Sequence, residues 1–448
     1  MSKQIDRRDF LKNGATGVAA VAVAGTASSS FVAAEPAAEP AAEPVRIGVV
    51  GVGGRGRWHI KNMLLYQKDV IIPAICDYRK DRLKMAVDFV KATKGYTPDG
   101  YSKDEYDYRN MFERDDLDGI LVATDVYWLG KISIDAMKAG KHVGHEVAGC
   151  HTIEECHGIV EEHERTGKQC MLLENCCYGN ETMMVYNMIR QGVFGAPYFG
   201  VGSYVHDCRK QFFDASGKIT WRGRLWRDAY GSSYDSHALG SPAKWLGIND
   251  GDRFEYCTCM MPTSKEAHEY AVATYGPDSA AAKVRFKTGD FVTTLIHTAK
   301  GKQIRVDYSL ASTRPYSRYY LLQGTKGCFD SRAGVYLKGV SGAYNRDKWD
   351  QLEQYYDRWQ HPYWRKDGDM ARRAGGHGGI DYFVIHDFLK MVRTGAPPWI
   401  DAYDAASWSS ILHCSHLSLD RKGGPVEVPD FTGGKWKDPA WRQGRAPA

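Results

Sequence analysis

Short apolar, β-branched runs alternate with helical patterns between residues 45 and 175. Val45-Arg46-Ile47-Gly48-Val49-Val50 has the profile of a buried parallel strand. Gly51-Val52-Gly53-Gly54-Arg55-Gly56 follows at once, and a helical pattern then runs over residues 57–66. A second strand over 70–76 ends at Asp77. Strands over 119–124, 142–146 and 169–174 then interleave with helices over 131–138 and 152–166. Alternation of this kind predicts an α/β fold that begins with a doubly wound parallel sheet.

From residue 199 the period changes. Alternating runs over 199–205, 284–286, 291–297, 303–310 and 319–324 predict a mainly antiparallel open sheet with one solvated face. Helical patterns return over 380–394 and 401–418. The expected organisation is a nucleotide-binding domain over 45–175 and an α+β substrate domain over 176–448, with its last helix and tail packing back on the first domain.

The first residues carry no fold pattern. Arg7-Arg8-Asp9-Phe10-Leu11-Lys12 precedes a small-residue apolar run over 14–27. That run is shorter than the roughly 20 residues a membrane-spanning helix needs. A basic segment followed by such a run reads as an export signal of the twin-arginine kind over 1–34, cleaved after Ala27 or Ala34. The expected destination is periplasmic or otherwise extracytoplasmic. Ala-Ala-Glu-Pro, repeated three times between Ala33 and Pro44, makes residues 35–44 a stiff polar linker.

Composition narrows the classes. With 43% hydrophobic and 25% charged residues and a net charge of +5, basic and acidic groups are interspersed. Nucleic acid and anionic membrane are therefore set aside as partners. Eleven cysteines follow no framework spacing, so most are expected to be small buried hydrophobes.

The glycine loop carries the first chemistry. Between a strand and a helix, Gly51 permits the tight turn, Gly53 admits a pyrophosphate to the backbone, and Gly56 allows close helix–strand packing. This is the dinucleotide-binding arrangement of a Rossmann fold. The helix N-terminus offers N–H groups to phosphate. Asp77 stands twenty-one residues past Gly56, where a carboxylate accepts both ribose hydroxyls and repels a 2′-phosphate. NAD is the expected cofactor, rather than NADP.

The order of these pieces resembles the Gfo/Idh/MocA oxidoreductases, through Asp118-Gly119-Ile120-Leu121-Val122-Ala123-Thr124 and Ala139-Gly140-Lys141-His142-Val143-Gly144-His145-Glu146. Typical dehydrogenases of that family read Glu-Lys-Pro with a lysine acid/base, where this chain has Glu146-Val147-Ala148. Later blocks resemble glycoside hydrolase family 109, whose members act as NAD-dependent α-N-acetylgalactosaminidases. They are Glu174-Asn175-Cys176-Cys177-Tyr178-Gly179, Tyr204-Val205-His206-Asp207, Tyr234-Asp235-Ser236-His237-Ala238-Leu239-Gly240, Arg314-Pro315-Tyr316-Ser317-Arg318 and Gly375-Gly376-His377-Gly378-Gly379-Ile380-Asp381-Tyr382.

The resemblance implies oxidation of the sugar at C3 by NAD⁺, elimination of the glycosidic oxygen, addition of water at C1 and return of the hydride. It assigns His237, Tyr204 and Tyr316 as proton carriers, a basic tyrosine needing Arg222 or Arg318 nearby. Arg222, Tyr234, Asp235, Ser236 and His237, with Tyr204 and Tyr316, are the expected substrate contacts. Glu146, Val147 and Asn175 join Arg55 and the segment Val126, Tyr127, Trp128 and Leu129 as expected cofactor contacts. That last segment departs from the family's Trp-x-x-His, as Tyr234-Asp235-Ser236-His237 departs from its Tyr-Pro-Thr-His. The substrate implied is a glycoside bearing a terminal N-acetylhexosamine.

Tyr178 is expected to pack against the cofactor pocket, and His377 among four glycines to sit in a turn. No His/Cys/Asp group has metal-ligand spacing, so no metal is expected. Homo-oligomerisation rests on analogy alone. Two other functions compete: a net sugar dehydrogenase or epimerase, and a sensor that binds sugar or NAD without catalysis.

Overall fold

The computed structural model describes residues 43–341, 348–442, 444, 445 and 447, so the signal segment lies outside the described residues, as does the linker up to residue 42. Six strands make the first sheet: β1 (Val45–Val50), β2 (Val70–Cys76), β3 (Asp99–Tyr101), β4 (Gly119–Val122), β5 (His142–His145) and β6 (Cys170–Leu172). All neighbours are parallel and the order is β3-β2-β1-β4-β5-β6. The order reverses between β1 and β4, and ligands of open α/β sheets bind outside the strand ends at that point.

The sheet is covered partly by helices from far along the chain. A Cβ at Gly119 would meet Val392 at 2.6 Å, and one at Gly144 would meet Phe388 at 2.5 Å. Those two strand glycines let the helix Ile380–Thr394 lie directly on β4 and β5. The helix Ala402–Asp420 packs against the helix Ile153–Thr166 and β6. One continuous apolar core joins these elements, with Ile47, Ile120, Phe388 and Trp408 all buried in it.

The second sheet has eight strands: β7 (Pro197–Val205), β8 (Phe254–Met260), β9 (Val292–Thr298), β10 (Gln303–Ser309), β11 (Ser317–Gly324), β12 (Gly327–Asp330), β13 (Gly334–Leu337) and β14 (Val426–Glu427). Its order is β13-β12-β11-β7-β10-β9-β8-β14. Every pair is antiparallel except β7 with β10, which run parallel. One face is solvated, with Leu295 and Met260 exposed. The expected strand over 284–286 is not formed. Phe286 instead packs on Phe212 and Phe213, and the following backbone N–H of Lys287 donates to Arg227 O. Tertiary packing of one aromatic outweighs a three-residue β pattern there.

All eleven cysteines are free thiols, and all but Cys328 are buried. Among the described residues no helix is long and apolar enough to cross a membrane.

Candidate active site

The glycine loop leaves β1 and enters the helix Gly54–Tyr66. Gly51 has φ +83°, and a Cβ there would meet the Ala123 and Thr124 backbone at 2.8 Å. At Gly56 a Cβ would fall on the Gly51 carbonyl oxygen. At Gly54 nothing lies within 4 Å, and no side chain caps the helix. An uncapped helix N-terminus thus faces open space, the arrangement a diphosphate requires. Asp77, at the end of β2, accepts from Val52 N at 2.8 Å through Oδ2 and from Arg79 N at 2.8 Å through Oδ1. Each oxygen keeps a second lone pair for a ribose hydroxyl. These residues fit NAD.

Beyond the loop, Arg55 joins the two halves of the fold. Its Nε donates to Glu146 Oε1 at 2.7 Å and its Nη1 to Asp381 Oδ2 at 2.6 Å. His59 is bonded to the same Glu146 oxygen, and Asn175 Nδ2 donates to Asp381 Oδ1 at 2.6 Å. Burial would raise the Glu146 carboxyl, but Arg55 and His59 hold it down to about 2. Asp381 is likewise held well below the ordinary range, burial being outweighed by His377 and Arg55. His377 bonds Asp381 Oδ2 at 3.0 Å from a turn of positive-φ residues.

The second cluster centres on His237, in the first turn of the helix Ser236–Trp245. Its Nδ1 lies 2.7 Å from Glu174 Oε1 and 3.4 Å from Cys176 Sγ. Glu174 is fully buried just past β6, and Cys176 N donates to the same Oε1 at 3.0 Å. Arg318, on β11, donates from Nη1 to Cys176 Sγ at 3.2 Å. Burial disfavours a charged His237, yet the Cys176 sulfur and the Glu174 carboxylate outweigh it and push its pKa well up. Its Nδ1 is engaged, and Nε2 is left for a ligand.

Around it stand the aromatic residues. Tyr204 lies with its ring 4.7 Å from that of His237 and 5.9 Å from that of Tyr316. Its hydroxyl is 2.9 Å from His206 Nδ1. Tyr234 is 5.8 Å from His237, and Arg222 lies over its ring at 5.1 Å and over Trp221 at 4.5 Å. Arg222 is paired with no carboxylate among the described residues. Burial and the neighbouring Arg222 and His237 lower the His206 pKa, so that imidazole is neutral.

The fold thus brings together His237, Tyr204, Tyr234, Arg222 and Tyr316, the last half-exposed at the rim. It turns Asp235 and Ser236 inward, since successive side chains at a helix start point about 100° apart. Both are buried, and burial raises the Asp235 carboxyl to about 7. Val126 and Leu129 are core side chains, whereas Tyr127 packs on His151 and Trp128 on Tyr106. Val147 is nearly buried beside Glu146. A basic tyrosine is not what the arginines produce: burial pushes the phenols of Tyr204 and Tyr316 up, not down. Tyr178 is fully buried in the core, its hydroxyl donating to Asp387 at 2.8 Å.

Glu174, Cys176 and His206 were not given roles by sequence reasoning, and Arg318 only that of a cation beside a basic tyrosine. For His206 a signal exists: it stands two residues past Tyr204, immediately after the end of β7, and the Tyr204 hydroxyl meets its Nδ1 at 2.9 Å. Nothing local marks Glu174 or Cys176 as partners of His237. The ligand-type atoms of Glu174, Cys176 and His237 lie within 4.8 Å of one another, a grouping that chain spacing conceals. Arg318 supplies a cation to the same sulfur.

The family model for the C-terminal domain of glycosyl hydrolase 109 matches residues 178–438. That for the NAD-binding Rossmann fold of the oxidoreductase family matches residues 45–173. The chain is 38% identical over 396 residues to a glycosyl hydrolase family 109 protein of Solibacter usitatus, covering 88% of this chain and 89% of that one. It is 36% identical over 449 residues to an α-N-acetylgalactosaminidase of Shewanella oneidensis, covering 97% of each. Among solved structures, levoglucosan dehydrogenase in complex with NADH superposes with a TM-score of 0.65 at 17% identity, over 87% of this chain and 100% of that one. Its apo form gives a TM-score of 0.67 at 18% identity, with the same coverage. At that identity the structures establish the fold alone. Residues 45–173 form an NAD-binding Rossmann domain.

Proposed function

The chain belongs to glycosyl hydrolase family 109, and from that membership we propose that it releases terminal α-linked N-acetylgalactosamine with NAD as a resident cofactor. The observation that carries the reading is a pair of imidazoles of opposite tuning around one tyrosine. His237 is pushed up and His206 down, with Tyr204 between them. Groups whose pKa values are driven apart divide into acid and base.

When bound, NAD supplies reversible oxidation at the sugar C3, which acidifies the C2 hydrogen for elimination of the aglycone. Gly51, Gly53, Gly56 and Asp77 would hold its diphosphate and ribose, with Asn175 and Glu146 toward the nicotinamide. The Tyr204 hydroxyl passes a substrate proton to neutral His206 at Nδ1. His237, oriented by Glu174 through Nδ1, donates from Nε2 to the departing oxygen. Arg222 and Tyr234 orient the sugar, and Tyr316 closes the rim.

The twin arginines at Arg7-Arg8 and the apolar run after them support export of the folded, NAD-loaded enzyme. The two halves of the reading are consistent, since a cofactor regenerated each turnover need not exchange outside the cytosol.

The test is incubation with an aryl α-N-acetylgalactosaminide in D₂O, followed by proton NMR. The expected result is sugar release with deuterium at C2 and no accumulation of NADH. NADH and a keto-sugar formed in equal amounts would replace this reading with a net dehydrogenase. No release and no NADH would overturn both.

A further inference from the structure

The Nδ1 of His237 has two neighbours, and the proton relay uses one of them. Glu174 Oε1 lies 2.7 Å away and Cys176 Sγ 3.4 Å away. A carboxylate alone fixes an imidazole in position, so the thiol is not needed to hold the ring. Among the described residues this is the only group of three His, Cys, Asp or Glu side chains whose ligand-type atoms all lie within 4.8 Å of one another. Glu174 and Cys176 come from the turn after β6, and His237 from the helix Ser236–Trp245.

An imidazole nitrogen, a thiolate sulfur and a carboxylate oxygen are ligands of tetrahedral zinc, each roughly 2.0–2.3 Å from the ion. Around such a centre the ligand atoms stand roughly 3.3–3.6 Å from one another. The Nδ1–Sγ separation of 3.4 Å already has that value, and the Nδ1–Oε1 separation of 2.7 Å has to open by about 0.6 Å. The supporting bonds are in place as well. Arg318 Nη1 donates to Cys176 Sγ at 3.2 Å, and the Cys176 N–H donates to Glu174 Oε1 at 3.0 Å. Outer hydrogen bonds of this kind orient metal ligands, while the thiolate and the carboxylate balance a dication. Glu174 Oε2 is buried with no hydrogen-bond partner among the described residues. An orphaned carboxylate oxygen costs free energy that an adjoining cation removes. Access comes from a cavity of about 540 Å³ whose wall includes Cys176, with room for the water that completes a four-coordinate ion.

We propose that Glu174, Cys176 and His237 form a zinc site, and that zinc bound there switches the enzyme off. The binding half stands on the geometry alone, and the inhibitory half rests on the glycosidase reading above. The ion forms bonds to Sγ, Nδ1 and Oε1 and displaces two protons to solvent, one from the thiol and one from Nδ1. Nothing is oxidised or reduced. A ring metallated at Nδ1 gives up its Nε2 proton far less readily than an imidazolium does, so the acid of the elimination step is lost. The sulfur selects a thiophilic dication over magnesium or calcium, which take oxygen ligands.

The experiment uses the full NAD-loaded chain, freed of metal by a chelator. Zn²⁺ is titrated by calorimetry into wild type, Cys176→Ser and Cys328→Ser, the last removing the one thiol that is not buried. The expected result is one zinc per chain with a Kd of about 1 µM or below in wild type and Cys328→Ser, and a Kd raised at least about tenfold in Cys176→Ser. Co²⁺ in place of Zn²⁺ should give wild type a thiolate-to-metal absorption band that Cys176→Ser lacks. Retained NAD content and an unchanged Tm show that the variants fold; should Cys176→Ser not fold, the cobalt band of wild type decides. No zinc bound by wild type, no cobalt–thiolate band, or equal affinity in Cys176→Ser would overturn the site. Saturating Zn²⁺ should also slow p-nitrophenol release from the aryl α-N-acetylgalactosaminide at least about tenfold, with the chelator restoring it. Zinc bound without loss of release would overturn the inhibition. If metal-free wild type releases no sugar, the glycosidase reading falls with the inhibitory half, and calorimetry still decides the site.

Discussion

Glu174 Oε1 lies 2.7 Å from His237 Nδ1, across 63 residues of sequence, with the carboxylate wholly closed off from solvent. The contact fixes the ring and raises its pKa, so the activity depends on a residue that touches no substrate. Glu174→Gln keeps the shape but removes the charge. The alkaline limb of the pH profile, set by loss of the His237 proton, should move down by at least about one unit. The acid limb, set by protonation of His206, lies below 6.5 and should stay in place. An unmoved alkaline limb would separate Glu174 from the proton chemistry.

Gly56 and Gly54 are neighbours with opposite constraints. A Cβ at Gly56 meets the Gly51 carbonyl, whereas a Cβ at Gly54 meets nothing within 4 Å. Gly56→Ala should lower Tm by several degrees and weaken NAD binding at least about tenfold. Gly54→Ala should leave the Tm of the NAD-free protein within about 2 °C. Thermal unfolding of both variants, with NAD titrated by calorimetry, checks the pair.

Arg55 compensates two carboxylates that would otherwise be buried without a cation. Arg55→Met should destabilise the fold by about 3 kcal/mol, read from denaturant unfolding. The pH dependence follows from the sign of the Glu146 shift. Its folded pKa, about 2, lies below the ordinary 4.5, so its contribution is present above about 4.5 and is lost as pH falls toward 2. Wild type should lose stability through that window, and Arg55→Met should show a flatter dependence. A variant as stable as wild type at pH 7 would refute the role.

Arg442, close to the end of the chain, donates to Asp401 and to Asp404 at 3.0 Å, both at the start of the helix Ala402–Asp420. Lys244 meets the same Asp404 from the helix that carries His237. Arg442→Met should cost about 3 kcal/mol. Because Lys244 links this network to the His237 helix, kcat should fall as well, with the Kd for NAD unchanged. Measured stability within about 0.5 kcal/mol of wild type would count against the tail as a structural clamp.

The nucleotide half was legible because its signals are local. A strand, a glycine loop, a helix and Asp77 occupy 33 consecutive residues, and each constrains the next through backbone geometry. The helix 380–394 was equally plain, and so were the strand over 303–309 and its neighbours, from period alone. Period did not place the short strands β12 to β14, which are too brief to repeat a pattern, nor the loop over 284–286.

The sequence by itself determined that a dinucleotide cradle exists, which end of the molecule holds it and, through resemblance, the roster of residues near the sugar. Only the tertiary structure decided what those residues do to one another. Glu174 reaches His237 across 63 positions, Arg318 reaches Cys176 across 142, and Arg55 reaches Asp381 across 326. Protonation states depend on which charges lie within a few ångströms and on how much water is excluded, and neither quantity is written in chain spacing. That is why Tyr204 and Tyr316 were read as potential bases from nearby arginines, while burial pushes both phenols up.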